Sequence, residues 1–272
     1  MGILSNRVPR EKLQPGDHIY SWRFAYSYAH HGIYVGDGQV IHFTRGQGQE
    51  LGTGTFLDSV LGSTVSSPSH AHNPCDQCGM DKNCTGVLLS CLDCFLCGYP
   101  LYRFEYAENI AVFMMRVRPG TCTLAVSDAP EVVLHRAKYL LENGFGGYHI
   151  FRKNCEDFAV YCKTGLLIDD NIIPSGGQAG SFVSGPTSAL TAGVVRMLMA
   201  EPWGIVAVTA GMYCISRYAL DLGNRKDVNK VAVEELVAKV GLVSPLSTEI
   251  PSMIDESNAK EEAVAGKFDI TN

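Results

Sequence analysis

Residues 30–42 read HHGIYVGDGQVIH, a sequence typical of a β-hairpin that carries histidine on each strand. Two registers are consistent with its glycine-rich centre. If Asp37–Gly38 alone form the turn, Ile33 pairs with His42, and each face of the hairpin mixes polar and apolar side chains. If residues 36–38 form a three-residue loop, Ile33 pairs with Ile41, and the apolar side chains share one face. Because a shift of one residue moves every side chain to the other face, the apolar pattern favours the second register.

This register predicts which histidines act together. His31 lies on the apolar face with Ile33, whereas His30 and His42 lie on the opposite face. We therefore expect His31 to pack in the core. His30 and His42 are expected to form a pair of bases on the open side of the hairpin.

Residues 154–156, which read NCE, mark the start of a helix with a cysteine in its first turn. Asn154 is a favourable N-cap, apolar residues follow at helical spacing, and Gly165 ends the pattern. The unpaired N–H groups and the positive dipole at a helix N-terminus stabilise a thiolate. Cys155 is therefore the candidate nucleophile, for which a histidine would accept the thiol proton.

A cysteine-rich segment lies between the hairpin and this helix. Two C-x-x-C pairs are separated by twelve residues, a spacing typical of four thiolates around a tetrahedral zinc ion; the pairs are Cys75/Cys78 and Cys91/Cys94. Cys84 and Cys97 are alternative ligands. Since all four ligands would come from the protein, such a zinc would be structural. The competing interpretation is a group of reduced thiols that packs a loop.

Composition limits the classes of function. The chain has 272 residues, 46% of them hydrophobic, which is enough for one domain with appendages. Its net charge of −6 provides no basic surface for nucleic acid. The N-terminus lacks the pattern of a secretory signal, so we expect a cytoplasmic protein whose ten cysteines are mostly reduced.

Other segments predict further elements. Residues 99–106, 111–117 and 121–126 suit short strands, and residues 128–142 suit a helix. Residues 203–220 are an apolar run at the lower limit for a membrane span. A span, a helix at a lipid surface and a helix packed on the domain stay open for this run. Residues 227–240 predict an amphipathic helix, and residues 241–272 a disordered tail.

The motifs together resemble a known family. The hairpin HxGIYVGDG, the histidine twelve residues after His30 and the block around Cys155 are similar to the lecithin:retinol acyltransferase (LRAT) family of the NlpC/P60 superfamily. The whole chain resembles plant members of the LEAD-SENSITIVE type. The resemblance covers residues 13–166, which contain a cysteine-rich insertion at 63–98 that the typical domain lacks. An apolar helical extension follows at 176–240. It implies an α+β fold: a circularly permuted papain-like antiparallel sheet packed on helices.

The resemblance also implies a chemistry. Cys155 would be the nucleophile of a thiol-dependent acyltransferase or phospholipid acylhydrolase, His30 its general base, and His42 the residue that orients His30. The acyl chain of a phospholipid would pass to Cys155 as a thioester, without a catalytic cofactor, and a membrane surface would be a partner. Asp157 stands where the family usually has histidine. The alternatives are a cysteine peptidase or amidase of the NlpC/P60 type and a catalytically silent scaffold that binds a membrane or partners.

Overall fold

A five-stranded antiparallel sheet carries the hairpin at its centre. The computed structural model describes residues 6–23, 26, 28–45, 75–79, 84–116, 118–148, 153–168 and 202–243. The sheet has the order β4-β3-β2-β1-β5. Its strands are β1 (His18–Arg23), β2 (Tyr28–Gly36), β3 (Gln39–Thr44), β4 (Gly86–Cys91) and β5 (Tyr102–Arg103). Helices pack on this sheet, so the predicted α+β class is confirmed.

The hairpin has the strand register that its apolar pattern predicts, but its turn differs from the predicted three-residue loop. Ile33 pairs with Ile41, whereas Gly36 pairs with Gln39, so Asp37–Gly38 form a two-residue turn. Both turn residues have positive φ, 50° and 68°, as the favoured two-residue hairpin turns require. The pairing shifts by one residue between Tyr34 and Gly36. A bulge at Val35 therefore combines the short turn with the apolar register.

Each face of the sheet is covered by a different helix layer. In the described part of the main domain, the α-helices are α1 (Leu92–Leu96), α2 (Ile110–Met115), α3 (Pro130–Asn143) and α4 (Cys155–Thr164). Ile33, Ile41 and Phe43 face α3 and α4 and form the largest apolar cluster. Val40 and Phe95 belong to a second cluster, between the other face and α1. The predicted insertion thus contributes strand β4 and helix α1 to the sheet and its covering layer.

The sheet divides at one end of the hairpin. Among the described residues, β2 and β3 pair from Gly32 and His42 toward the turn, and not beyond that pair. Further along, β2 stays paired with β1 as far as Tyr28, and β3 stays paired with β4 as far as Thr44. The two parts of the sheet therefore separate where His30 lies.

Two of the predicted helices are confirmed, and the predicted short strands are mostly wrong. α4 begins after Asn154 and ends at Gly165, as predicted, and α3 ends at Gly144. Residues 111–116 form no strand, because Asn109 caps a helix there through the backbone N–H of Val112; residue 117 lies outside the described residues. The 99–106 segment contributes only the two residues of β5. Residues 121–126 make one isolated bridge, from Cys122 to Glu105.

The C-terminal elements are joined to the main domain. They are β6 (Leu166–Ile168), α5 (Pro202–Leu220), β7 (Val228–Lys230) and α6 (Val233–Val243). The predicted helix at 227–240 starts only at Val233, because β7 pairs with β6. Val233 and Leu236 then join the core beside α3. The predictions for residues 63–74, 176–201 and 244–272 lie outside the described residues.

One prediction for this region is contradicted. The 203–220 run does form a helix, α5, but within the described part of the chain no helix has the length and apolarity that crossing a membrane requires. The expectation that this segment could anchor the protein by crossing a membrane is therefore wrong. Arg217 of α5 is buried instead and donates hydrogen bonds to the carbonyl oxygens of Phe113 and Arg116.

Candidate active site

His30 and His42 form a buried hydrogen-bonded pair. Nε2 of His30 lies 2.9 Å from Nδ1 of His42, and the two imidazole planes are nearly perpendicular. Nε2 of His42 lies 3.1 Å from the hydroxyl oxygen of Ser90 on β4. The three side chains make one polar chain across β2, β3 and β4. Ser90 was not identified from the sequence, because only strand pairing brings it to the hairpin.

Burial keeps both imidazoles neutral. Burial is the largest cause of the lowered pKa of each histidine. The neighbouring His42 lowers the pKa of His30 further, and the charge of Arg23 lowers the pKa of both histidines. The pKa of His42 falls to about 4, and that of His30 lies well below its ordinary value. Each ring therefore has one N–H and one bare nitrogen at neutral pH, as a general base requires.

Nδ1 of His30 stands out among the polar atoms of His30, His42 and Ser90. It is buried and has no hydrogen-bond partner among the described residues. A buried imidazole nitrogen without a partner is costly and calls for an explanation. A proton acceptor for an incoming thiol is one such explanation.

The Cys155 thiol lies at the start of α4, close to the backbone beside His30. Its Sγ donates to the carbonyl oxygen of Ala29 at 3.8 Å. The Asn154 side chain accepts from the N–H groups of Glu156 and Asp157, and Asp157 accepts from the N–H of Asn154. This capping box fixes the first turn of α4. It also gives Asp157 a structural role.

The division of the sheet explains how Cys155 on α4 lies close to the strand segment that carries His30, although His30 projects from the other face. α4 packs on the face that holds Ile33, whereas His30 projects from the opposite face. Where β2 and β3 separate, the first turn of α4 reaches the edge of β2 at Ala29. The structure thus brings His30, His42 and Ser90 together, and it places Cys155 beside the strand segment that carries His30.

Four cysteines form a second candidate site. The sulfur atoms of Cys75, Cys78, Cys91 and Cys94 all lie within 4.8 Å of one another, and no other such group of potential ligands occurs among the described residues. Cys75 and Cys91 are 4.0 Å apart, and Cys78 and Cys94 are 3.7 Å apart. Sulfur atoms about 2.3 Å from a tetrahedral zinc lie about 3.8 Å from each other. The cluster therefore fits a tetrahedral metal ion.

The two alternative ligands lie outside this group. Cys97 is exposed, follows α1 with a left-handed φ of 47°, and donates to the carbonyl oxygen of Cys94. Cys84 is half-buried and does not belong to the cluster. The four cysteines of the two outer pairs are thus the candidate ligand set.

A second histidine network lies on the α4 side of the sheet. Nε2 of His18 lies 2.8 Å from Nδ1 of His31, and Nδ1 of His18 lies 2.8 Å from the Tyr106 hydroxyl. His31 is buried and stacked on Tyr20. The apolar pattern of the hairpin predicts that His31 lies on the packed side but gives no sign of this network, because its other members come from a neighbouring strand and a distant loop.

Comparisons with known proteins agree with these motifs. A family model described as lecithin retinol acyltransferase matches residues 11–168. The chain is 55% identical over 241 residues to the protein LEAD-SENSITIVE 1 of Arabidopsis thaliana, a match that covers 88% of this chain and 92% of the relative. Together the two matches span the hairpin, the helix of Cys155 and most of the C-terminal region. The chain therefore belongs to the lecithin retinol acyltransferase family.

Proposed function

We propose that this protein is a thiol-dependent acyltransferase or phospholipid acylhydrolase with Cys155 as its nucleophile. The main observation behind this proposal is that Nδ1 of buried His30 has no hydrogen-bond partner among the described residues. The residue before His30 is Ala29, and the Cys155 thiol contacts its carbonyl oxygen. Membership of the family suggests acyl transfer as the class of reaction. We further propose a circularly permuted papain-like fold. The proposal is supported by chain order, since the histidine strands precede the nucleophile helix here and follow it in papain.

The proposed base has one productive proton arrangement. For Nδ1 of His30 to accept the thiol proton it must be bare, so the His30 proton sits on Nε2. That N–H donates to Nδ1 of His42, which therefore carries its own proton on Nε2 and donates it to Ser90. A chain with this direction orients His30 and stabilises the imidazolium that forms on proton transfer.

The reaction then proceeds in two halves. The Cys155 thiolate attacks the carbonyl carbon of a phospholipid ester, and the C–O bond breaks as the lysophospholipid oxygen takes the proton from His30. The product is a thioester on Cys155. An alcohol, an amine or water then gives a proton to His30 and attacks the thioester. The C–S bond breaks, and the Cys155 thiolate takes the proton from His30, which restores the thiol and the neutral imidazole. Splitting the transfer in this way needs one nucleophile and one base, the roles proposed for Cys155 and His30.

Intact mass measurement after incubation with a short-chain phosphatidylcholine tests this function. The unaltered protein should gain the mass of one acyl group, and Cys155→Ser should not gain this mass. His30→Asn should lower the rate of adduct formation by at least about a hundredfold, as expected for loss of a general base. His135→Asn is the matched control, because His135 is exposed on α3 and bonded to Glu234.

Two other outcomes would redirect the proposal. An adduct with an activated peptide but none with the lipid would favour the cysteine peptidase or amidase. No adduct with either substrate would contradict both enzymatic functions and favour the scaffold.

We also propose that the four-cysteine cluster holds one structural zinc ion. All four ligands come from the protein and leave no open coordination position, so the metal would fix the fold and not take part in the reaction. Protein purified without chelator should contain about one zinc per chain. Cys78→Ser should lose the metal and Cys97→Ser should keep it. Zinc near zero in the unaltered protein would contradict the proposal.

A further inference from the structure

We infer that the four-cysteine metal centre positions the histidine pair, and that Ser90 is the positioning residue between them. This inference deepens the proposed function, because it concerns how His30 is kept in the protonation form that an acyl transfer needs. It is carried by the contacts of β4 and α1 with the hairpin.

Ser90 directly precedes a candidate metal ligand. Cys91 is the last residue of β4 and the N-cap of α1, where its Sγ accepts from the N–H of Cys94. The two C-terminal ligands of the cluster are thus fixed to each other through the first turn of α1. The position of Ser90 depends directly on this turn, because one peptide bond separates Ser90 from Cys91.

The same segment is anchored to the hairpin turn. Val40 pairs with Ser90, Gln39 pairs with Cys91, and the N–H of Leu92 donates to the carbonyl oxygen of Gly38 at 2.7 Å. The metal centre therefore lies beside the tip of the hairpin that carries both histidines. Its ligands continue the strand that holds the Ser90 hydroxyl against His42.

Phe95, next to the ligand Cys94, forms the wall of the histidine pair. Its ring centroid lies 5.2 Å from that of His30 and 5.5 Å from that of His42. Arg23 on β1 donates to the carbonyl oxygens of Phe95 and Leu96 and so holds α1 over the pair. Burial of both imidazoles on this side thus depends on α1.

α1 has only five residues, and a helix this short is not stable by itself. A metal bound by four thiolates would join its first turn to residues 75–78 and fix it. Without a bound metal, α1 would hold Ser90 and Phe95 less firmly in place beside the histidine pair. If the Ser90 acceptor moves away, His42 can carry its proton on Nδ1 and donate it to His30 instead. Nδ1 of His30 then carries a proton and cannot accept one from the thiol.

Histidine tautomers test the inference without any substrate. In full-length protein with ¹⁵N-labelled histidine and bound zinc, His30 and His42 should both carry their protons on Nε2. Ser90→Ala, with zinc still bound, should give mixed tautomers for both residues, whereas Ser90→Thr should restore the wild-type signals. Removal of zinc with a chelator should shift the same two residues as Ser90→Ala does. His135 should be unaffected throughout.

Acyl-enzyme formation provides the second readout. The rate of Cys155 acylation by the short-chain lipid should fall about three- to tenfold in Ser90→Ala, the effect of one buried hydrogen bond, and recover in Ser90→Thr. Zinc removal should reduce it at least as much. Far-UV circular dichroism checks that each sample stays folded.

The failures of the two proposals are distinguishable. Unchanged tautomers of His30 and His42 in Ser90→Ala, or after zinc removal from a folded protein, would overturn the positioning role. A protein that binds no zinc would overturn it as well. If the tautomers respond as expected but no acyl-Cys155 forms in the unaltered protein, the proposed function fails and the link between metal centre and histidines stands.

Discussion

At the scale of single residues, Gly32 allows the two histidine strands and α1 to pack closely. A Cβ atom added there would lie 2.7 Å from Cγ1 of Val40, 2.9 Å from Cε2 of Phe95 and 3.1 Å from Cβ of His42. Val40, Phe95 and His42 are all buried, so a shift of any of them would disturb the packing around the histidine pair. The glycine is thus required by contact and not by its backbone conformation.

We predict that Gly32→Ala lowers the free energy of unfolding by about 1–3 kcal/mol, the usual cost of overpacking a core. Urea denaturation measures it. Gly211→Ala is the control, because a Cβ in that position of α5 meets no atom within 4 Å and alanine favours helix. Equal stability of Gly32→Ala and the unaltered protein would contradict the close packing around the histidine pair.

Tyr106 tests the role of the second histidine network. We predict that Tyr106→Phe lowers the free energy of unfolding by about 1–3 kcal/mol, because it leaves Nδ1 of buried His18 without its partner. The rate of Cys155 acylation should not change, since the His18–His31 pair lies on the other face of the sheet from His30.

Thermal or urea unfolding and the intact-mass assay provide the two measurements. Tyr139→Phe, at a half-buried position of α3, is the matched control for loss of a tyrosine hydroxyl. A large loss of acylation with unchanged stability would mean that His31, and not His30, serves the nucleophile.

At the scale of elements, the start of α4 determines where the thiol lies. The Asn154 side chain accepts two backbone N–H groups in the same turn that carries Cys155. We predict that Asn154→Ala costs about 1–2 kcal/mol of stability, as for other N-caps, and slows alkylation of Cys155. Peptide mapping after a short exposure to iodoacetamide measures the second effect.

Asn109→Ala is the control that separates the general effect of losing a helix N-cap from the specific effect of losing the N-cap of α4. Asn109 caps α2 in the same way, through the N–H of Val112, but α2 does not carry Cys155. Its replacement should lower stability without changing alkylation of Cys155. If both variants slowed alkylation equally, the effect would reflect general loosening and not the geometry of α4.

The elements that sequence analysis predicts correctly have local signals. α4 has a capping asparagine, helical apolar spacing and a terminal glycine within twelve residues, so its limits depend on nothing distant. The hairpin register follows from the apolar pattern, whereas the bulge at Val35 has no signal of its own. Residues 111–115 are apolar without a clear period, and a single cap at Asn109 decides between helix and strand.

At the scale of the whole molecule, the residues that sequence analysis missed are those that only the tertiary structure brings to the site. Ser90 reaches His42 across 48 residues, and Tyr106 reaches His18 across 88. Both contacts depend on which strands are neighbours, and the order of strands in a sheet is not encoded in any single segment. Cysteine spacing, in contrast, predicts the four clustered residues because two local pairs carry the signal.

Because four of its histidines are buried, the protein should lose stability at mildly acidic pH. They are His18, His30, His31 and His42, and burial is the main cause of the lowered pKa of each. The pKa of His42 falls to about 4 and that of His31 to about 3. Unfolded histidines have a pKa of about 6.5, so below that pH the unfolded chain binds protons that the folded protein excludes.

The sign of the effect follows from this difference. Between pH 6.5 and about 4, the unfolded state binds more protons, so the free energy of unfolding falls as the pH falls. Each fully excluded proton contributes about 1.4 kcal/mol per pH unit. Urea denaturation at half-unit steps from pH 7 to pH 4.5 should show a steep loss below pH 6.5, before most carboxylates titrate. A flat profile would mean that these imidazoles are already charged in the folded protein, which is incompatible with a neutral His30 as the base.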